Sequence, residues 1–505
     1  MGHIRRQTIL SSIIIYIGFA IGFVNTYLYV KQGIFTPEQY GLTRLINDIS
    51  ATFFSFGTFG VITYIYKFHP FYKNNLSKKE NDQLGLSLII IMLGFLFVIA
   101  GSIFLKPLFI RKFSERSLLF INYYYWTLPF ALGLLLFSIF EAFAWFAQRS
   151  IFTNFLRETG LRIIQLILIL CFVAGWITFD GFIKWFSFCY LFIAFVLIVY
   201  LVRKKSVTIT FKISRVTKKF SKRIFSLMML IYGSLIINTL AQYIDTIIIA
   251  SVSVKGLTDV GIYTLATFIA TTISVPQRSI ISATVPVLSN SWKTKNYEEI
   301  RRIYNRTSIN LLLLSLLIFF IIWLNVNDLF TVLNINKDFE AGKIVILILG
   351  ISKIIDAGTG VNSQIIGTSN LWRFEVLTGV LLLSISIPLN YFLVKQMGIN
   401  GSALSNLIAF AIYNMVRLLF IYKKFSMQPF TYKTVYAVLI TVAIYALCYF
   451  ALNNMHGWIA IFLRSGIFVL LFALAVIKFR ISPDADFLLA YANAKLGINK
   501  RKNSG

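Results

Sequence analysis

Charge is what this sequence has least of. Only 13% of its 505 residues are Asp, Glu, Lys or Arg, where a soluble domain carries about 25%. Half the usual solubilising surface is missing, which excludes an ordinary water-soluble globule. Acidic residues are scarcest, 19 against 48 basic ones. Histidine is nearly absent: His3, His69 and His456 lie far apart near the ends of apolar runs, too scattered for a metal centre. The cysteines, Cys171, Cys189 and Cys448, each sit inside an apolar run without CxxC spacing. They read as small hydrophobes, not as disulfides or metal ligands. No GxxxxGK[ST] segment occurs, so the chain has no Walker site for coupling to ATP. No polar stretch is long enough to fold as a separate domain. The first apolar run, Ile9 to Val30, exceeds a signal-peptide core and lacks a small-residue cleavage site, so it is expected to be a span.

What the sequence has instead is hydrocarbon. Residues of the hydrophobic class make up 58%, with 49 Phe and 25 Tyr, and they recur in runs of about 20, the length of a membrane-crossing helix. Fourteen spans are expected, at 8–30, 40–66, 84–105, 121–146, 153–177, 181–202, 224–251, 259–287, 308–326, 343–366, 372–394, 400–422, 433–453 and 458–479. All are expected to be helices, because an open sheet in lipid leaves backbone groups unpaired.

The net charge of +29 is spread between these runs, a pattern of topology signals and contact with anionic lipid, with no nucleic-acid partner expected. The largest cluster is Arg203, Lys204, Lys205, Lys212, Arg215, Lys218, Lys219, Lys222 and Arg223, after span six. Lys293, Lys295, Arg301, Arg302 and Arg306 follow span eight, and Lys500, Arg501 and Lys502 lie near the end. The positive-inside rule then places both termini in the cytoplasm. Lys106, Arg111, Lys112 and Arg116 dissent, facing outward on this count.

An internal repeat organises the spans. At an offset of 220, Glu38–Leu45 lies over Thr258–Leu265, with Gly41 on Gly261; Ile49 falls on Ile269, Gly181 on Gly401 and Arg203–Lys204 on Lys423–Lys424. Two six-helix lobes follow, 1–202 and 224–424, joined by a basic linker at 203–223, with two further spans and a tail in 425–505. An even number of spans per lobe makes the repeats parallel. The expected fold is an all-α polytopic membrane protein of alternating-access type.

Fourteen helices arranged 6+6+2, with short loops and a basic middle linker, resemble the polysaccharide flippases of the multidrug/oligosaccharidyl-lipid/polysaccharide exporter superfamily, a MATE-like fold. The phrase Phe35-Thr36-Pro37-Glu38-Gln39-Tyr40-Gly41-Leu42 is similar to that family's entry into its second helix. Asp245 to Ile249 followed by Val260-Gly261-Ile262-Tyr263 resembles its stretch joining helices seven and eight. The resemblance covers nearly the whole chain. It implies flipping of an isoprenoid-diphosphate-linked oligosaccharide in the bacterial inner membrane during lipopolysaccharide or capsule assembly. It implies no enzymatic activity.

Ionisable groups deep in lipid cost about 2.5–3.5 kcal/mol each on insertion scales and therefore face a cavity or a partner. Arg44 and Asp48, at i and i+4 on span two, share a face. The same holds for Lys353 and Asp356 in span ten, read as a cavity element or a neutralised pair. Arg278 follows Pro276, where a kink is expected, and suits a phosphate. Gln242 and Asp245 lie within one turn on span seven, and Asp245 falls on Asn25 at the 220 offset. These are candidates for a counter-ion, a proton or cation site, an outer gate, or helix-to-helix polar contacts. Arg157, Glu158 and Arg162 with Arg373 and Glu375 read as interface anchors, and Lys184, Arg417 and Arg464 as snorkelling cations. Glu141 has no partner in sequence. No cofactor is expected; coupling to H+ or Na+ is open, as is a polymerase or chain-length partner, and a monomer is expected. The rival readings are a drug or metabolite antiporter of the same superfamily and, in another class, a membrane glycan polymerase or ligase. The latter class needs a large outer loop.

Overall fold

The computed structural model describes residues 2–371, 373–452, 454–482 and 484, with side chains from residue 14 onward. The basic Lys500–Lys502 segment lies outside them. Helix accounts for 84% of the structure and no strand occurs among the described residues. The helices are α1 (Gly2–Val30), α2 (Pro37–Gly57), α3 (Val61–Asn75), α4 (Gln83–Phe113), α5 (Leu118–Asn122), α6 (Thr127–Phe146), α7 (Ser150–Asn154), α8 (Leu161–Val173) and α9 (Phe179–Arg203). They continue as α10 (Arg215–Val252), α11 (Leu257–Thr272), α12 (Val275–Lys293), α13 (Tyr297–Val332), α14 (Lys343–Gly358), α15 (Asn362–Thr368), α16 (Arg373–Met397), α17 (Ile399–Phe425), α18 (Tyr432–Leu452) and α19 (Gly457–Lys478).

Among the described residues nine helices are long and apolar enough to span a bilayer, and twelve spans result if each of three bent pairs counts as one. The other two expected spans fall on α1, whose described apolar part is Ile14–Val30, and on the run from α7 to α8. A π turn over Phe155–Gly160 divides that run. The bent pairs are α2 with α3 at 48°, α11 with α12 at 49°, and α14 with α15 at 46°. The near-equal bends of the first two pairs fall in the second span of each half of the repeat. The second bend immediately precedes Pro276, where the sequence predicts a kink. Proline there takes the first turn of α12, where its missing N–H costs nothing.

The chain divides into two compact units, Met1–Ile262 and Tyr263–Gly505. The first has an aromatic-rich core from α3, α4, α6 and α9, including Tyr64, Tyr72, Phe137, Phe140 and Ile193. The second is centred on α13, where Leu312, Leu316, Phe319 and Phe320 meet Ala437 and Cys448 of α18 and Phe468 and Phe472 of α19.

The phrase before α2 has a local physical meaning. Thr36 caps the helix, its hydroxyl accepting from the Gln39 N–H at 3.2 Å while the Gln39 side chain accepts from the Thr36 N–H at 3.0 Å. With Pro37 at the first position this is a complete capping box. Gly41 then meets α11: a Cβ there would overlap the Leu257 carbonyl, and one on Gly261 would overlap the Pro37 carbonyl. Positions 37 and 41 thus exchange with 257 and 261, which is the 220-residue offset realised as a symmetric helix contact.

Candidate functional site

Two arginines in the first unit are held by buried carboxylates, while their own side chains are partly exposed. On α2, Arg44 Nε donates to Asp48 Oδ2 at 2.9 Å; the Asp48 side chain is fully buried and that of Arg44 is 36% exposed. Asn47 Nδ2 donates to the other Asp48 oxygen at 3.1 Å. On the π turn, Arg157 Nη1 donates to Glu141 Oε2 at 3.1 Å, with side-chain exposures of 52% and 7%. A buried carboxylate stays charged only beside a cation. The same bond fixes the arginine's reach and leaves most of its five N–H donors uncommitted. Tyr243 of α10 lies within electrostatic range of Asp48, Arg44 and Arg157. Both tethered arginines thus act electrostatically on one tyrosine.

Arg157 reads as a headgroup anchor and Glu141 as partnerless in the sequence; the structure pairs them. No helical spacing links them, since they lie on different helices. The available signal was a carboxylate deep in an apolar helix, which demands a cation, with the nearest basic cluster opening the next span.

The π turn packs closely against α1. A Cβ on Gly18 would overlap the Glu158 carbonyl, and Thr159 donates to the Ile14 carbonyl at 2.8 Å. Glu158 and Arg162 form the expected i, i+4 pair at 3.5 Å. Arg162 also lies over the Phe19 ring at 4.9 Å. Asn25 is buried and donates to the Arg162 carbonyl at 2.9 Å, so it ties α1 to α8. Gln242 is exposed and Asp245 half-buried on α10.

In the second unit Lys353 and Asp356 share α14 without forming an ion pair. Asp356 accepts from Asn414 Nδ2 at 3.0 Å and from Gln277 Nε2 at 3.4 Å. The Lys353 ammonium stands over the Phe410 ring at 5.4 Å. Asn414 also accepts from Thr359 and Asn362, which makes a buried amide network around the break between α14 and α15. Arg278 is exposed on α12, next to the Gln277 that reaches Asp356.

Two cations read as snorkelling are buried. Arg417 pairs with Glu375 and lies over the Tyr413 ring at 3.7 Å. Arg464 pairs with Asp328 and donates to the Leu452 and Met455 carbonyls at the end of α18. Position near a span end suggested an outward reach; the partners, on neighbouring helices, turn both inward. Lys184 stays half-exposed, paired with Asp180 at 2.6 Å. Of the dissenting outer cations, Arg116 donates to the Val252 carbonyl and Lys106 stands over Tyr125 at 4.5 Å. Local contacts hold both.

Long apolar helices, broken second spans and charges buried in pairs make up a polytopic membrane fold, and solved structures share it. The lipid II flippase MurJ in an inward closed conformation superposes with a TM-score of 0.75 at 16% identity, covering 94% of this chain and 99% of that one. An inward-facing multidrug resistance MATE family transporter of the MOP superfamily gives 0.64 at 15% identity, covering 80% and 94%. A MOP superfamily transporter from Pyrococcus furiosus gives 0.55 at 16% identity, covering 83% and 95%. The family described as polysaccharide biosynthesis protein matches residues 4–292, more than half of the chain, and the chain belongs to that family. The MatE family matches residues 231–392. No curated protein matches the chain by sequence.

Proposed function

We propose that the protein flips an isoprenoid-diphosphate-linked oligosaccharide across the bacterial cytoplasmic membrane by alternating access, for surface polysaccharide assembly. The observation that carries this reading is the pair of arginines tethered to buried carboxylates. A diphosphate cannot enter hydrocarbon bare, and its lost hydration has to be replaced by donors. A guanidinium fork offers two parallel bonds to phosphate. Each arginine is half-neutralised by its own acid, so its hold on phosphate is moderate, which suits a group that has to be released on the far side.

In the topology proposed here, fourteen spans with both termini cytoplasmic, span five starts from the inside and span two from the outside. Arg157 then lies nearer the entry and Arg44 nearer the exit, with Tyr243 in electrostatic range of both. Lobes 1–202 and 224–424 are the two halves of the transporter, 203–223 links them, and 425–505 carries the two appended spans. Arg278, Lys353 and Asp356 serve the second lobe's wall; Gln242 and Asp245 belong to the outer half. Asp48 and Asn25 complete the cavity set, Asp48 holding Arg44 and Asn25 tying α1 to the Arg162 carbonyl. The cycle is coupled to H+ or Na+, and the protein works as a monomer alongside polymerase and chain-length machinery. Membership of the family and the fold of a lipid II flippase both favour a lipid-linked substrate over a drug.

The test is a proteoliposome assay with a fluorescent isoprenoid-diphosphate oligosaccharide. Arg44→Ala, Arg157→Ala and Arg278→Ala are each expected to slow flipping at least about tenfold, the loss of one charge-assisted contact, with insertion intact. Arg157→Lys recovers only part, because an ammonium offers no fork. Unchanged rates in both Arg44→Ala and Arg157→Ala would refute the reading.

A further inference from the structure

The first unit contains a second basic site that the flipping path does not use. At the end of the unit bearing the basic linker, a hollow of about 420 Å³ opens between α3, α4, α6 and the segment after α9. Lys73, Lys78, Lys204 and Lys205 line it with His69, over a floor that includes Phe143 and Phe146. None of the described residues lining it is acidic, and none of the four ammonium groups has an ion pair among the described residues. Four like charges around one hollow repel unless an anion joins them.

The hollow is built, not incidental. The strap after α9 is fastened to the α3–α4 turn, Thr208 Oγ1 donating to the Lys78 carbonyl at 2.7 Å and Thr210 Oγ1 to the Lys79 carbonyl at 3.0 Å. Buried Asp82 secures the start of α10, accepting from the Ser214 N–H at 2.9 Å and from Thr217 Oγ1 at 2.8 Å. Lys205 ends α9 in a left-handed backbone, φ 49°, closed by the Ser206 N–H donating to the Leu201 carbonyl at 3.0 Å, which fixes where the strap departs. His69 is oriented as well. It stacks on Phe146 at 3.9 Å, and its Nδ1 lies 2.9 Å from Oε1 of the buried Gln83. The Gln83 amide nitrogen donates to the Ile65 carbonyl at 3.2 Å. That donation makes Oε1 the acceptor and leaves the imidazole Nε2 uncommitted.

The second unit supplies an internal precedent. A hollow of about 530 Å³ lies between the start of α13 and the segment after α17, lined by Arg302, Arg306 and Lys433. There the protein contributes its own anion: Asp484 accepts from Arg306 Nε at 2.9 Å and also from Asn310. There a carboxylate joins the cations, whereas none of the described residues lining the first hollow supplies one.

We propose that the hollow of the first unit binds a phosphate-bearing anion, supplied by an anionic phospholipid headgroup or by a soluble phosphate. Basic pockets between membrane helices take such headgroups. Occupancy would lock the strap onto the α3–α4 turn and so brace the linker. The inference is independent of the transported substrate.

The test uses the purified full-length protein. Its thermal unfolding is followed with added cardiolipin or phosphatidylglycerol against phosphatidylcholine, and separately with inorganic pyrophosphate. A shift with the anionic lipids alone identifies a headgroup; a shift with pyrophosphate identifies a phosphate group as sufficient. Lys78→Gln and Lys204→Gln should each weaken binding about fivefold, and the Lys73, Lys78, Lys204, Lys205 quadruple Gln variant should abolish the shift. Lys218→Gln/Lys219→Gln/Lys222→Gln on α10, basic but outside the hollow, should retain it. No shift with any probe, or equal loss in the α10 control, overturns the proposal.

Discussion

At the scale of single residues, the decisive fact is which partner each buried charge finds. Arg44 reaches its acid one turn away on its own helix, and this pair is legible from spacing alone. Arg157, Arg417 and Arg464 reach acids on other helices, and no periodicity reports those. The clearest structural case is Arg464: its guanidinium joins Asp328 and the last carbonyls of α18, so one side chain fastens α13, α18 and α19 together. Asp328→Ala leaves that cation buried without its counter-charge, a change that costs about 3–5 kcal/mol. We expect a large drop in the melting temperature of the detergent-solubilised protein. Lys184→Ala, which removes an exposed pair, should leave it nearly unchanged. Equal melting temperatures for the two variants would show that the Arg464 cluster is not structural.

At the scale of elements, close helix contact and helix breaks do most of the work. Gly41 and Gly261 let α2 and α11 touch backbone to backbone, and the offset that aligns them in sequence also exchanges them in space. Gly41→Ala places a methyl on a carbonyl, which cannot move aside as a flexible side chain would. Overpacking of this kind costs about 1–3 kcal/mol. Gly233→Ala on α10 meets open space and should be neutral or slightly stabilising through helix propensity. Melting temperatures of the pair separate the two cases; a neutral Gly41→Ala would mean that the contact is looser than the geometry states. The π turn between α7 and α8 shows the limit of pattern reading. Its apolar composition predicts one unbroken span, but a π turn over Phe155–Gly160 interrupts it, packed against Gly18 of α1 and carrying the Arg157 that pairs with Glu141.

At the scale of the whole molecule, the open matter is orientation. The long α10 begins at Arg215 and carries Lys218, Lys219, Lys222 and Arg223 before its apolar stretch. In the topology proposed above, the positive-inside bias puts this basic segment on the cytoplasmic side. Single cysteines placed at 206 or 212 in an otherwise cysteine-free chain should react with a membrane-impermeant maleimide only after the cells are opened. Labelling in intact cells would invert the topology and with it the assignment of Arg157 to the entry and Arg44 to the exit.

Composition alone dictated the solvent: with 13% charge and apolar runs of bilayer length, the chain has no route to a water-soluble core, and helices are the structure that pairs every backbone group in lipid. The Arg44–Asp48 pair was also legible, because it depends on residues one turn apart in sequence. Tertiary structure decided the rest. Arg157 with Glu141, Arg464 with Asp328, and Asp356 with Asn414 and not Lys353 are meetings between helices distant in the chain. The energy that selects them, desolvation of a buried charge set against the one partner within reach, exists only once those helices have packed.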